Sequence, residues 1–166
     1  MTNVVAGAIT TVDKKIAERV VNEAAQKQTR LDTALKWAPF ALLITYDALG
    51  VKARSSCRRH ITEMFAAHLL LNAAIRPAKK AINRTRPNGR GNSFPSAHTA
   101  TAFVASEIIR QELRGNNVAL QYSGYALAMS TAWLRLYRKK HWLSDVLAGA
   151  LTGRFFGRLA SRLIGK

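Results

Sequence analysis

The chain has 166 residues, enough for one domain with a sizeable core and too few for two large ones. Hydrophobic residues make up 48% of it, which excludes a disordered or collagen-like chain. With 26 Lys and Arg against 9 Asp and Glu, the formal net charge is +17. This excess implies an anionic partner: phosphate, anionic lipid or nucleic acid. The single cysteine, Cys57, excludes a disulfide framework or a cysteine-based metal site within one chain.

Apolar residues recur at helical spacing along the chain, and no run alternates with the period of a strand. We therefore predict an all-α protein, a single bundle of about six helices. Residues 1–30 are expected to form an amphipathic N-terminal helix, from residue 8, and a link; the helical domain follows over residues 31–166. Within that domain helices are predicted over residues 31–49, 61–84, 95–113, 118–136 and 141–163. Residues 51–60 are predicted to be a basic loop, and Pro77 a kink or stop near Ile75.

The hydropathy of the chain does not decide whether it is embedded in a membrane. The mean hydropathy of -0.07 is low for a protein that spans a bilayer many times. A spanning helix needs about 20 mostly apolar residues, and only residues 115–134 run that far without a charge. The shorter apolar runs fit core helices or spans with charged ends in the head groups.

The first of three polar clusters, KKAINRTRP, covers residues 79–87. Lys79 and Arg86 are seven positions apart, so on one continuous helix they would project from one face. Arg binds phosphate oxygens in pairs and Lys supplies a point charge, which suits an oxyanion. A solvated basic face is the simpler interpretation of this cluster alone.

The second cluster, FPSAHTAT, covers residues 94–101 at a predicted helix start, with Pro95 in the first helical position. The unpaired backbone N–H groups of a helix N-terminus favour an anion. Ser96 and His98 are therefore candidates for binding a phosphate and moving a proton. The alternative is that Ser96 only caps the helix and His98 lies on the surface.

The third cluster, RLYRKKHWLSD, covers residues 135–145. His141 and Asp145 are four positions apart and are predicted to share a helix face. The carboxylate can then accept a hydrogen bond from one ring nitrogen and leave the other as an attacking lone pair; an ordinary polar pair is the alternative. Arg135 ends the preceding helix and is expected to fold back towards His141. If the helices alternate in direction, all three clusters meet at one end of the bundle.

In order, the clusters read K-x6-RP, PSxH and R-x5-H-x3-D. This pattern resembles the type 2 phosphatidic acid phosphatase (PAP2) superfamily over about residues 35–163. The runs FPSAHTATAF and RKKHWLSDVLAG look most like small bacterial membrane-lipid phosphatases. Two positions depart from the family pattern. Ala97 stands where Gly is common, and Leu134 replaces the usual Ser, which removes one hydrogen bond expected to the phosphate.

The resemblance implies a role for each matching residue. His141 is implied to attack phosphorus and form a phosphohistidine, Asp145 to fix and stabilise its ring, and His98 to protonate the leaving oxygen and then activate water. The implied phosphate-binding residues are Lys79, Arg86, Ser96 and Arg135. Because fixed cations take the place of a metal ion, we expect metal-independent hydrolysis with no cofactor.

The expected substrate is a lipid phosphate or pyrophosphate: undecaprenyl pyrophosphate, a phosphatidate-like lipid or lipid A phosphate. The resemblance implies a multi-pass protein of the bacterial inner membrane, with its site facing the periplasm and anionic membrane lipids as partners. A soluble or peripheral acid phosphatase with the same site is the alternative. A nucleic-acid-binding helical protein is a weaker one, and no nucleic acid is expected. Arg154, Arg158 and Arg162 form a basic stripe that could face lipid phosphates, solvent or another helix.

Overall fold

The computed structural model describes residues 2–19 and 31–164, and the regular structure in these ranges is entirely helical. The predicted all-α class is confirmed, with seven described helices in place of about six. In chain order they are α1 (Thr2–Arg19), α2 (Leu31–Leu35), α3 (Ala38–Ala48), α4 (Cys57–Ile82), α5 (Ala97–Glu112), α6 (Val118–Tyr137) and α7 (Leu143–Ile164). Residues 20–30, where the first predicted helix was to end, lie outside the described residues.

Helix α5 lies at the centre of the bundle, and α3, α4, α6 and α7 pack around it. Small and branched side chains along α5 are fully buried, among them Ala100, Val104 and Ile108. They meet Leu71 of α4 and Leu43 of α3 in one apolar core. Burial of this surface is the main favourable term that holds the helices together.

Three glycines of α7 let it approach α5 unusually closely. Gly149, Gly153 and Gly157 recur every four residues and so lie on one face of the helix. A Cβ atom on Gly149 would lie 2.5 Å from the carbonyl oxygen of Ser96, and one on Gly153 would lie 2.2 Å from that of Ala100. Any larger residue would push α7 away from α5, so the glycines fix the spacing of the two helices.

Two predicted boundaries were wrong in the first half of the domain, and of the kink or stop predicted at Pro77 the stop does not occur. The helix predicted over residues 31–49 is two helices, because Pro39, in the first turn of α3, has no N–H with which to continue the hydrogen-bonding pattern of α2. Helix α4 begins at Cys57, inside the predicted basic loop, and its residue His60 is buried. It also runs through Pro77 to Ile82 without the predicted stop.

The later helices lie close to their predicted ranges, with two differences at their starts. Helix α5 begins at Ala97 with Ser96 in the N-cap position, so Pro95 precedes the helix and does not open it. Helix α7 begins at Leu143, two residues after the predicted start at His141. Both differences matter for the site, because they place Ser96 and His141 in the turns before the helices.

The helix directions bring the loops together at two ends of the bundle. At one end the N–H of Ser96 donates to the carbonyl oxygen of Asp145 over 2.9 Å, so α5 and α7 begin side by side. We call this the site end. At the far end the N–H of Arg54 donates to the carbonyl oxygen of Glu112, also over 2.9 Å. Among the described helices, none has both the length and the apolar character needed to cross a bilayer.

We predict that Gly153→Ala destabilises the fold, because its Cβ would collide with a backbone oxygen of α5. Overpacking of this kind costs about 1–3 kcal/mol, against a gain of roughly 1 kcal/mol in helix propensity. The free energy of unfolding, from urea titration followed by circular dichroism, should therefore fall. Gly91→Ala is the control, since its Cβ meets only the Asn83 side chain at 3.4 Å. A Gly153→Ala protein as stable as the wild type would contradict this packing.

Candidate active site

The first cluster is divided between a helix and a loop. Helix α4 ends at Ile82, and Asn83 adopts a left-handed conformation with φ of 40° that reverses the chain. The following loop is closed where the N–H of Ser93 donates to the carbonyl oxygen of Arg84 over 2.8 Å. Arg86 therefore lies in the loop, and the prediction that it shares a helix face with Lys79 was wrong. The reversal at Asn83, which helical spacing cannot reveal, is what returns Arg86 towards α4.

Lys79 is held against the loop by its ammonium group. Its Nζ donates to the carbonyl oxygen of Asn92 over 2.8 Å and to that of Ser93 over 3.3 Å. Partial burial, and next the nearby charge of Arg86, lower the pKa of Lys79 to about 8. Two cations from the first cluster thus lie near each other, an arrangement that an anion between them would stabilise.

The guanidinium group of Arg86 gives a second indication of an anion site. Its Nε atom is buried and has no hydrogen-bond partner within the described residues. A buried charged donor left unsatisfied is costly, so such groups occur where a ligand completes the bonding. Arg135, at the end of α6, is only 3% exposed, and its charge is among the influences that lower the pKa of Lys79.

His141 and Arg135 are joined through the backbone of the turn after α6. The N–H groups of Lys140 and His141 donate to the carbonyl oxygen of Arg135 over 3.1 and 3.3 Å. Asp145 accepts the N–H of Trp142 at 2.9 Å, which caps the start of α7. Because this cap fixes the helix start after Trp142, the prediction that His141 and Asp145 share a helix face was wrong.

The cap nevertheless leaves the imidazole of His141 next to the carboxylate. Nδ1 of His141 lies 3.6 Å from Oδ2 of Asp145 and 3.5 Å from Oγ of Ser93, both longer than a normal hydrogen bond. Ser93 in turn donates to Asp145. The carboxylate therefore faces Nδ1 and leaves Nε2 as the other ring nitrogen.

His141 is 3% exposed, and this burial dominates its titration. Burial lowers its pKa to about 4, since it penalises the charged ring; Asp145 opposes this, and the cations Arg135, Arg86 and Lys79 reinforce it. At neutral pH the imidazole is therefore uncharged and holds a lone pair. A neutral ring among fixed cations is suited to attack on an anionic centre.

Asp145 is fully buried, and the polar groups around it hold it in the charged form. Burial alone would raise its pKa, but the contacts with His141, Ser93 and the N–H of Trp142, with the charge of Arg84, lower it. Nη1 of Arg84 donates to Oδ1 of Asp145 over 2.9 Å. The carboxylate is thereby fixed on both oxygens.

Helix α1 reaches the same network through Asp13, a buried residue. Its carboxylate accepts Nη2 of Arg84 at 2.7 Å and the N–H of Ser144 at 3.0 Å. Asp13, Arg84 and Ser93 were not predicted from the sequence. Arg84 lies inside the first cluster, and Asp13 follows the apolar Ile9 by four positions, so a carboxylate on a predicted apolar face was the available signal.

The second cluster lies at the start of α5. Ser96 is fully buried in the N-cap position, but its Oγ lies 2.9 Å from Oγ1 of Thr99 and makes no hydrogen bond to a first-turn N–H. His98 is half-buried in the first turn of α5. All seven predicted site residues thus lie at the site end of the bundle, although the helix faces that were to gather them differ from those predicted.

The grouping of His, Cys, Asp and Glu side chains bears on whether the site could hold a metal ion. Within residues 2–19 and 31–164, no group of three or more His, Cys, Asp or Glu side chains is arranged to hold a metal ion. Metal-independent hydrolysis stays a prediction that needs an experiment with the protein itself.

Comparisons with known proteins indicate the family and the fold of this chain. A family model described as PAP2 superfamily matches residues 81–166. The lipid A 1-phosphatase of Porphyromonas gingivalis is 31% identical over 150 residues, 89% of this chain and 34% of that protein, so the chain spans about a third of its relative. The crystal structure of Aquifex aeolicus LpxE matches with a TM-score of 0.63 and 21% identity, over 82% of this chain and 88% of that one, which shows a shared fold. Since the family model covers more than half of the chain, including α5, α6 and α7 with their site residues, this protein belongs to the PAP2 superfamily.

Proposed function

We propose that this protein is a phosphatase that hydrolyses a phosphate ester or pyrophosphate carried by a lipid. The observation that carries the proposal is the uncharged, buried imidazole of His141, backed by Asp145 and surrounded by fixed cations. A neutral nucleophile and a phosphate with one or two negative charges can approach each other only where positive charge offsets the developing anion. Here that charge comes from Lys79, Arg86 and Arg135.

In the first step, Nε2 of His141 attacks phosphorus and forms the P–N bond of a phosphohistidine. The bond to the leaving oxygen breaks, its electron pair stays on that oxygen, and His98 supplies the proton. Lys79, Arg86, Arg135 and Ser96 hold the other phosphate oxygens. Asp145 stabilises the positive charge that the His141 ring acquires.

In the second step, His98 acts as a base and takes a proton from water. The water oxygen attacks phosphorus, the P–N bond breaks, and its electron pair returns to Nε2 of His141. Phosphate is released and both rings regain their starting protonation. The charge balance of this cycle needs no metal ion, because three fixed cations face the phosphate throughout.

Exposed apolar side chains support a lipid as the carrier of the phosphate. Helix α4 exposes Ile61, Phe65 and Leu69 at a spacing of four, and α7 exposes Leu147, Leu151 and Phe155 at the same spacing. Contiguous apolar stripes of this kind mark surfaces that meet another apolar phase. We therefore propose action at a bacterial membrane surface, where anionic lipids would attract the basic chain.

The name of the relative favours lipid A phosphate among the candidate substrates. Undecaprenyl pyrophosphate and phosphatidate-like lipids contain the same phosphate chemistry and stay candidates. A soluble or peripheral acid phosphatase with the same site is the second candidate function. The two differ in whether an apolar tail on the substrate improves turnover.

We predict that purified protein in detergent releases phosphate from lipid A phosphate, undecaprenyl pyrophosphate or phosphatidate in the presence of EDTA. His141→Ala should lower kcat by at least about a thousandfold, since the nucleophile is lost. His68→Gln, in α4 and away from the site cations, is the control and should keep its activity. Phosphate release would be measured across this panel and across soluble monoesters.

The outcomes separate the candidates. Faster turnover of soluble monoesters than of any lipid would support the acid phosphatase. Wild-type activity in His141→Ala would remove the proposed nucleophile, and activity that EDTA abolishes and a divalent metal restores would contradict a metal-independent site.

We also predict that His141 makes the fold acid-sensitive in a defined range. In the unfolded chain this histidine takes up a proton near its ordinary pKa of 6.5, but in the folded protein only near 4. The unfolded state therefore binds more protons between these values, so stability is lost as the pH falls from about 6.5 to about 4. At about 1.4 kcal/mol per pKa unit, the loss is at most about 3–4 kcal/mol.

The measurement is the free energy of unfolding at several pH values for the wild type and His141→Gln. The variant lacks the titrating ring, so it should lose less stability than the wild type over this range. Parallel curves for the two proteins would show that His141 is not held uncharged by burial.

A further inference from the structure

Five arginines line a cavity at the far end of the bundle, away from the active site. This cavity has a volume of about 400 Å³, within the roughly 300–1,000 Å³ typical of small-molecule sites. Its arginines come from the loop before α4, from the end of α5 and the turn after it, and from the last turns of α7. We call it the arginine cavity, after Arg54, Arg110, Arg114, Arg158 and Arg162.

One buried carboxylate, that of Glu107, already binds the arginines on the inner side of the cavity. Glu107 accepts Nη2 of Arg110 at 2.7 Å and Nε of Arg158 at 3.2 Å, and Nε of Arg154 lies 3.5 Å away. Although burial opposes it, the hydrogen bonds from Arg110, Tyr125 and Gln111 lower the pKa of Glu107 to about 2. A single negative charge is thus shared by three guanidinium groups. In the basic stripe of Arg154, Arg158 and Arg162, the first two therefore face the neighbouring helix α5.

The second carboxylate at the cavity, that of Glu112, also has hydrogen-bond partners within the protein. Glu112 accepts the hydroxyl of Ser55 at 2.7 Å and the N–H of Ser55 at 2.9 Å. Its Oε2 also lies 3.0 Å from Nε2 of the buried His60. All three contacts are made to Oε2 and come from Ser55 and the first turn of α4.

The rim arginines are Arg54, Arg114 and Arg162. Within the part of the chain that the structure describes, Arg54, Arg114 and Arg162 form no ion pair and no side-chain hydrogen bond. They belong to three different segments, and the bond from Arg54 N–H to the Glu112 carbonyl holds two of those segments together. Like charges that the fold brings together repel one another, and a bound anion would relieve that repulsion.

We propose that the arginine cavity is a second anion site, which binds a phosphate-bearing ligand. Guanidinium groups bind phosphate oxygens in pairs, and the rim offers three that form no ion pair with any described residue. The cavity is separated from the active site by the length of α5, about 24 Å at 1.5 Å per residue. A ligand there does not contact His141. The phosphate can belong to a free anion or to the head group of an anionic lipid.

The test compares two triple variants in a His141→Ala background, so that the probe is not consumed. Arg54→Gln/Arg114→Gln/Arg162→Gln removes the rim charges without depriving a buried carboxylate of its partner. The matched control, Lys52→Gln/Arg58→Gln/Arg59→Gln, removes the same charge from exposed residues near the start of α4, outside the cavity. Circular dichroism and thermal melting verify that each protein is folded.

Binding is measured by calorimetry with two probes. Inorganic pyrophosphate represents the free anion; detergent micelles that carry phosphatidylglycerol represent the head group, with phosphatidylcholine micelles as the reference. The active site is the same in both triple variants, so a difference in their affinity for a probe reports binding in the cavity. The measurement does not depend on turnover and stands whether or not the proposed function is correct.

We expect the rim variant to bind at least one probe about tenfold or more weakly than the control, since two or three charge-assisted contacts are lost. The probe affected identifies the source of the phosphate. Equal affinity in the two triple variants, for both probes, would overturn the proposal. If the rim variant does not fold, Arg114→Gln and Arg162→Gln are measured singly. A severalfold loss in each is then expected, and unchanged affinity in both overturns the proposal.

Discussion

The arrangement at the site end depends on one buried carboxylate, that of Asp145. A charge removed from water must be compensated by partners, and here they come from two segments: Arg84 and Ser93 from the loop after α4, and the N–H of Trp142 from the start of α7. The backbone carbonyl of Asp145 also accepts the N–H of Ser96, just before α5. Loop, α5 and α7 are thus fixed relative to one another, and the His141 ring lies beside the same carboxylate.

The close contact of α5 with α7 keeps the two helices at a fixed distance along the bundle, from the site end to the far end. The glycines of α7 keep the helices close from Ser96 towards the far end, where Glu107 of α5 draws in Arg158 of α7. In a chain with few acids, five of those that the structure describes are buried and hold basic or hydroxyl groups: Asp13, Glu63, Glu107, Glu112 and Asp145. Clusters of cations lie at both ends of the bundle, around His141 and in the arginine cavity. Scarce carboxylates therefore determine where unneutralised cations remain available for anions.

Local sequence patterns predicted the helical class, most of the later helices and the three clusters that meet at the site end. They failed where a single residue overrides helical spacing. Asn83 reverses the chain before Arg86, and the bond between Asp145 and Trp142 delays the start of α7, so neither pair shares a helix face. Asp13 and Arg84 were missed because their pairing joins residues 71 positions apart, which no local pattern encodes. His60 looked like part of a basic loop, but Asp47 and Glu112 hold it in the interior.

The central claim is that the uncharged ring of His141 attacks phosphorus. Its most direct test is to mix enzyme with substrate labelled at the reactive phosphate, quench within the first turnover, and map the label by mass spectrometry under alkaline conditions, in which an N-linked phosphate survives. The account predicts a phosphate on the ring of His141 in the wild type, accumulation of this species in His98→Ala, and none in His141→Ala. Turnover with label on another residue, or none on the protein when the substrate is consumed, would contradict it.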